Sequence, residues 1–344
     1  MKKIQTLCGV LALVIAFASC SSGGGGSSDG DGTQTTGGIS TKTLNALVGG
    51  LYWGAPNELT ETSTPHLIIT EATQDEINST FWNCVNSGGA KAVDADYSAT
   101  VILDKDITGG FVAYLSRNGA HKAKLYIIPK GGNRTITVDT TAHIAFDIRG
   151  DITLILGNGI TLKGNLHGSE PLVKLNESTE ARGKAELIMK EGSAITDNGG
   201  GGVQIGDRGI FTMEGGTISG NKSTEKGAGV WVNANTAIFI MKGGVIKNNE
   251  TSFNFGGGGV GVSPSGQGHF YMESGVIYGS EASAGLANKA PLPGVGEDPA
   301  PAALFAGDAT SSEYGKYNDA GSWVRTDYLT DSNTTIRVTK GVKQ

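Results

Sequence analysis

Four segments of the chain repeat one pattern. They read LIMKEGSAITDN from Leu187, FTMEGGTISGN from Phe211, FIMKGGVIKNN from Phe239 and FYMESGVIYGS from Phe270. Each has an aromatic residue or Leu, one residue, Met, a charge, small residues and then Ile; the first three end in Asn three residues after that Ile. Met189, Met213, Met241 and Met272 recur at spacings of 24, 28 and 31 residues. A repeat of this length belongs to a stacked architecture, in which each unit buries its apolar face only against its neighbours. Around each Met the period is two, so the aromatic and the Met share one face of a strand. Gly215-Gly216 and Gly243-Gly244 follow as bends, and Ile218 or Ile246 begins a second inward set. Val203/Ile205, Val230/Val232 and Val260/Val262 form a third, each after a Gly-rich corner. Three short strands and three bends per repeat predict one coil of a parallel β-helix. The 10–12-residue helical pattern of leucine-rich or ankyrin repeats is absent.

Two ladders are expected along the stack. Asn198, Asn221 and Asn249 each stand three residues after the Ile, with Asn165 a candidate one coil earlier. Asn tolerates a left-handed turn, and its amide bonds well to an identical neighbour. Lys190, Glu214, Lys242 and Glu273 follow the methionines and would place opposite charges on adjacent strands about 4.8 Å apart. Both ladders read as structural.

The amino terminus reads as an address. Met1-Lys2-Lys3 precedes an apolar run over 7–18, too short to span a bilayer and arranged as a secretory signal. The run ends in Phe17-Ala18-Ser19-Cys20, which resembles the bacterial lipoprotein lipobox, with Phe17 where Leu is usual. That resemblance implies cleavage after residue 19 and lipidation of Cys20. Residues 21–38 are almost only Gly, Ser, Thr and Asp, a flexible coil reaching roughly 25 Å. The expected organisation is a signal peptide over 1–19, a lipidated Cys and tether over 20–40, a capping segment over 41–100 and the β-helix over 101–344. In the cap, Thr73-Gln74-Asp75-Glu76 matches a capping box, and Ile77, Phe81 and Val85 follow at four-residue steps. A short amphipathic helix is expected over 74–86, with Cys84 as packing on its buried face. Residues 288–301, which hold four of the nine prolines, read as loop; 302–305 as a degenerate coil; and 334–339 as a last strand.

Gly, at 55 of 344 residues, is about twice its usual share of ~7% and lies in corners between apolar runs, without a collagen period. The net charge of −6 disfavours nucleic acid and anionic membrane surfaces as partners. With Cys8 in the leader and Cys20 lipidated, Cys84 has no intramolecular disulfide partner.

The anchored Cys, the polar linker, KLYIIPKGGNRTITVD, ITLILGNGITLKGN and the MxGGxIxxN units together resemble uncharacterised surface lipoproteins of spirochaetes. The resemblance covers about residues 120–310 and implies an all-β, right-handed parallel β-helix of the pectate-lyase-like group, here with a short helix-containing N-terminal cap. It implies no assigned chemistry. More loosely, GGGV and IxxN are similar to the GGA[ILV] and FxxN repeats of the adhesin-like chlamydial polymorphic membrane proteins, with Ile in place of Phe.

Catalytic constellations are not legible. The N-T-D, G-H-G and R-I-K elements of polygalacturonase-like β-helices are missing. Glu191, Asp197, Asp207, Glu214 and Glu273 follow no pattern that would flank one glycosidic bond. Asp147 and Asp151 with Lys163 are the nearest to a lyase-type set. His66, His121, His143, His167 and His269 lack metal spacing, and no cofactor is implied. Binding features are clearer. Trp231 lies between inward Val230 and Val232, so it should point outward, where the indole either stacks on a sugar ring or is covered by a loop such as that over 253–255. Ile188, Thr212, Ile240 and Tyr271 form an outward stripe, either a partner surface or one covered by the carboxy-terminal segment. Arg149-Gly150-Asp151, at a bend, spells an integrin-read tripeptide; chance explains it better. The expected function is binding, adhesive or structural, at the cell envelope, anchored in a membrane through Cys20 and directed at a glycan or host-matrix ligand through Trp231 and Tyr271. The alternative is a polysaccharide lyase or glycoside hydrolase.

Overall fold

The chain winds into a parallel β-helix of about five turns. In this computed structural model the described residues are 97–109, 113–117, 122–139, 144–176 and 183–344, less 226, 255, 264–267, 292–300 and 307–309, with short strands at 35–36, 39–40, 51–53 and 65–69. The leader, Cys20, most of the tether and the expected helix over 74–86 with Cys84 lie outside them.

Each coil contributes one strand to each of three sheets. Val173–Leu175, Val203–Ile205, Val230–Val232 and Val260–Val262 stack in the first. Ile152–Leu156, Ala185–Met189, Ile210–Met213, Ile238–Met241 and His269–Met272 stack in the second. Ile160–Lys163, Ala194–Thr196, Thr217–Ser219, Val245–Lys247 and Gly275–Ile277 stack in the third. The register matches the repeat: Phe211, Phe239 and Phe270 are Cα partners in turn, as are Met189, Met213, Met241 and Met272. Like residues therefore lie above one another in the core. The three phenylalanine rings stack at centroid separations of 4.8 and 4.9 Å with planes 10° and 12° apart. That spacing is the strand spacing itself, so backbone pairing and ring stacking reinforce one another. The inward valines, isoleucines and methionines are fully buried. The glycine bends are needed twice over. Gly216 and Gly244 have φ of +86° and +87°, and a Cβ on Gly244 would lie 2.6 Å from Met213 Cε.

The asparagine ladder forms and is longer than the repeat showed. The backbone N–H of Asn198 donates to Asn221 Oδ1, that of Asn221 to Asn249 Oδ1 and that of Asn249 to Asn288 Oδ1. The Nδ2 groups of Asn221, Asn249 and Asn288 donate back to the carbonyls of Ile195, Ile218 and Ile246 in the preceding coil. These four side chains are buried, so the polar corner is satisfied inside the molecule. Asn288 escapes the spacing rule because residues 278–287 intervene after Ile277. Asn165 holds the corresponding place one coil earlier, but its side chain serves the Asp139 carbonyl and the His167 N–H. A second buried corner asparagine, Asn176, accepts from the Gly150 N–H and carried no repeat signal.

The charge ladder closes only at its start. Lys190 pairs with Glu214 at 2.5 Å, whereas Lys242 turns its ammonium over the Tyr317 ring, 5.1 Å from the centroid. The stack ends by reversing direction. Leu304–Phe305, in the segment expected as a degenerate coil, adds a last parallel strand to the first sheet. Trp323–Tyr328 then pairs antiparallel with Ser312–Tyr317, and Ile336–Thr339 with Gly275–Ile277. The Trp323–Tyr328 edge carries Arg325 and Asp327 and sits beside a register shift at Tyr314/Gly315, features that discourage further strand addition. Toward the amino terminus the second sheet continues through Tyr97–Leu103 and Pro65–Ile69, into the segment expected only to cap.

Removing Asn249 to Ala takes the Asn249 Oδ1 acceptor from both the Asn221 N–H and the Asn221 Nδ2 group, at about 1–3 kcal/mol for each buried group. Phe239→Ala should cost about 3–5 kcal/mol, and Glu214→Ala, at an exposed pair, less than about 1 kcal/mol. Denaturant melts of the three variants check this order; equal losses would mean that inner and outer faces are misassigned. A further expectation concerns pH. Burial pushes the Glu281 carboxyl up, but hydrogen bonds from the Thr335 side chain and backbone, and from its own backbone, outweigh it and leave it below the usual range. A lowered carboxyl pKa stabilises above the unfolded value and is lost as pH falls through the folded one. Wild type should therefore melt higher than Glu281→Gln at pH 7, and the gap should close on acidification below the usual carboxylate range.

Candidate functional site

The outer face of the first sheet carries one column of side chains. In register it runs Asp147, Lys174, Gln204, Trp231, Gly261 and Phe305. Outward positions on a solvated sheet are usually exposed, yet Asp147 is 1 % and Lys174 6 % exposed. Charge at that depth requires a partner. Asp147 accepts two hydrogen bonds from Arg149, and Lys174 Nζ lies 2.7 Å from Glu170 Oε2. Glu170 comes from the corner between the third and first sheets, which rises beside the column.

That corner and the corresponding one two coils on wall a groove of about 320 Å³, with Gly200 and Gly201 of the corner between them also lining it. Lys174, Gln204 and Trp231 line its sheet side, Ser169, Glu170 and Pro171 one wall, and Ser223, Glu225 and Gly227 the other, with Asn233 beyond. Local chemistry builds the second wall. Ser223 Oγ accepts from the Glu225 N–H, and the Glu225 carbonyl accepts from Thr251 Oγ1 in the coil above, fixing where the Glu225 backbone turns. Trp231 sits as its strand pattern requires: Val230 and Val232 are buried and Trp231 is partly exposed. Its Nε1–H is shielded and has no acceptor among the described residues. A tryptophan placed only for packing normally finds one. The volume is at the small end of ligand pockets, and the walls supply both donors and acceptors.

Tyr271 lies elsewhere, on the outer face of the second sheet. It continues the stripe of Thr212 and Ile240, all partly buried. The carboxy-terminal hairpin covers this end: the Trp323 ring is 5.3 Å from Tyr271, with His269 stacked on it at 5.6 Å and Tyr317 against Trp323 at 5.1 Å. Burial, with the nearby Glu313 and Tyr317, raises the Tyr271 pKa; burial and Glu273 raise that of Tyr317. Trp231 and Tyr271 thus belong to different faces and do not form one site.

The lyase-type set does not assemble. Asp147 is held by Arg149, Asp151 accepts from the Lys184 N–H, and Lys163 lines a separate open cleft of about 450 Å³ with Asp139, Asn165, His167 and Asp197. No group of three or more His, Cys, Asp or Glu is placed to hold a metal among the described residues. The Arg149-Gly150-Asp151 bend is engaged internally at all three residues. The chain matches no protein-family profile, no curated protein and no solved structure.

Sequence reasoning reached Trp231 from strand alternation. It missed Lys174, Glu170 and Glu225. Val173-Lys174-Leu175 alternates just as Val230-Trp231-Val232 does, so the signal for Lys174 was present; the two glutamates stand on irregular corners, where no pattern applies. Trp231→Ala should leave the melting transition close to wild type, unlike Phe239→Ala, because Trp231 is partly exposed on the outer face of its strand and lies outside the buried core that holds Phe239. A loss as large as that of Phe239→Ala would make Trp231 a core residue.

Proposed function

We propose that the protein is a lipid-anchored β-helix of the cell envelope, of the spirochaete surface-lipoprotein, pectate-lyase-like type, that binds glycan chains through the outer face of its first sheet. The observation that carries this reading is the groove of Trp231, Gln204 and Lys174, a partly exposed indole with an unused N–H set among amide, hydroxyl and carboxylate groups. Aromatic faces take the apolar face of a sugar, and ringed polar groups take its hydroxyls. The anchor is read from Phe17-Ala18-Ser19-Cys20 and the Gly/Ser tether that follows. Several acyl chains on one residue would hold such a protein stably at a membrane.

Two experiments test the two halves. Metabolic fatty-acid labelling should mark the wild type and not Cys20→Ser, which should be released or mislocalised; an unlabelled wild type removes the anchor. Full-length protein in detergent should bind on a glycan and host-matrix array, and Trp231→Ala should weaken that binding about tenfold, the scale of a lost aromatic stack. Chain shortening or new unsaturated ends on a bound polysaccharide would transfer the protein to the lyase or hydrolase reading.

A further inference from the structure

The geometry points to an uncharged, hydroxyl-bearing saccharide chain, lying along the solenoid axis, as the ligand of the Trp231 groove; this rests on the glycan-binding reading above. The first argument is charge. Among the described residues, the column's cation Lys174 is already matched by Glu170 at 2.7 Å, and Arg149, two residues along the strand from Asp147, is matched by Asp147. Glu225 adds a further carboxylate on the opposite wall, and no second cation among the described lining residues answers it. The described lining is therefore net negative. A uronate or sulfated chain would bring its anions against Glu170 and Glu225 in a partly enclosed space, and like-charge juxtaposition there is costly.

The second argument is hydrogen-bonding capacity. Gln204 and Asn233 each present an amide with donors and an acceptor, and Ser169 and Ser223 present hydroxyls. A sugar hydroxyl both donates and accepts, so it suits such a lining better than a group that only accepts. The third argument is spacing. Lys174, Gln204 and Trp231 stand on successive coils, one strand step of about 4.8 Å apart. That step is close to the length of one pyranose unit in an extended chain. A chain laid across the coils meets Trp231 with one ring and Gln204 with the next. The small volume of the groove restricts it to a short stretch of such a chain.

The test is calorimetric titration of the full-length protein in detergent, at low salt, with cellohexaose, maltohexaose, mannohexaose and hexagalacturonate. At least one neutral hexamer should bind, and hexagalacturonate should bind at least tenfold more weakly. Glu225→Lys, at an exposed corner, should narrow that gap several-fold, and Trp231→Ala should weaken the neutral binding about tenfold. Hexagalacturonate binding as tightly as the best neutral hexamer, with both weakened in Trp231→Ala, would overturn the ligand class and leave the glycan-binding reading standing. No hexamer bound, or binding unchanged in Trp231→Ala, would overturn that reading and this inference with it.

Discussion

The structure depends on a single constraint, that every coil must present the same residue at the same height as the coil below. Parallel strands 4.7–4.9 Å apart leave no slack between neighbouring side chains on one face. Three phenylalanines stack at that distance, and four asparagines close a buried chain of amide hydrogen bonds at one corner. Shifting one strand by a residue would send its whole inward set to the outer face. The asparagines add what apolar packing lacks, since an amide out of place leaves buried donors and acceptors unpaired. Register is thus held by a dry core on one side and a satisfied polar corner on the other.

With the core so regular, variety is confined to corners and outer faces. The corners between the second and third sheets keep nearly one length, whereas those on either side of the first sheet vary: between the third and first sheets, residues 164–172, 197–202 and 220–229 connect successive pairs. A short corner between two longer ones leaves a wall on either side, and the groove with Trp231 lies between them. The same latitude explains the other end of the stack, where residues 278–287 intervene before Asn288 without breaking the ladder. The groove is a by-product of loops on a scaffold too rigid to change elsewhere, the usual division between frame and binding surface.

What was legible follows from this. Periodicity exposed the coils, the inward Met, Phe and Ile, the asparagine ladder from 198 to 249 and the outward direction of Trp231, because all of these obey the strand period. Asn288 was hidden by an insertion, and Lys242 left its expected column because the Tyr317 ring arrives from a hairpin far along the chain. Glu170 and Glu225 were illegible because corner residues obey no period. Their meeting around one groove is a consequence of stacking height, which a linear sequence does not display. The covering of Tyr271 by Trp323 is of the same kind. The sequence named a covering carboxy-terminal segment as one of two readings of that stripe, but not the ring that does it.

The most direct measurement of the central claim is amide hydrogen exchange at Asn198, Asn221 and Asn249 as denaturant is raised. Each of these N–H groups donates to the asparagine of the next coil, in a corner closed to water. If one continuous ladder holds the register, the three amides should exchange only by a shared, large opening, with the same dependence on denaturant. Exchange of one of them by a small local opening while the others stay protected would contradict it.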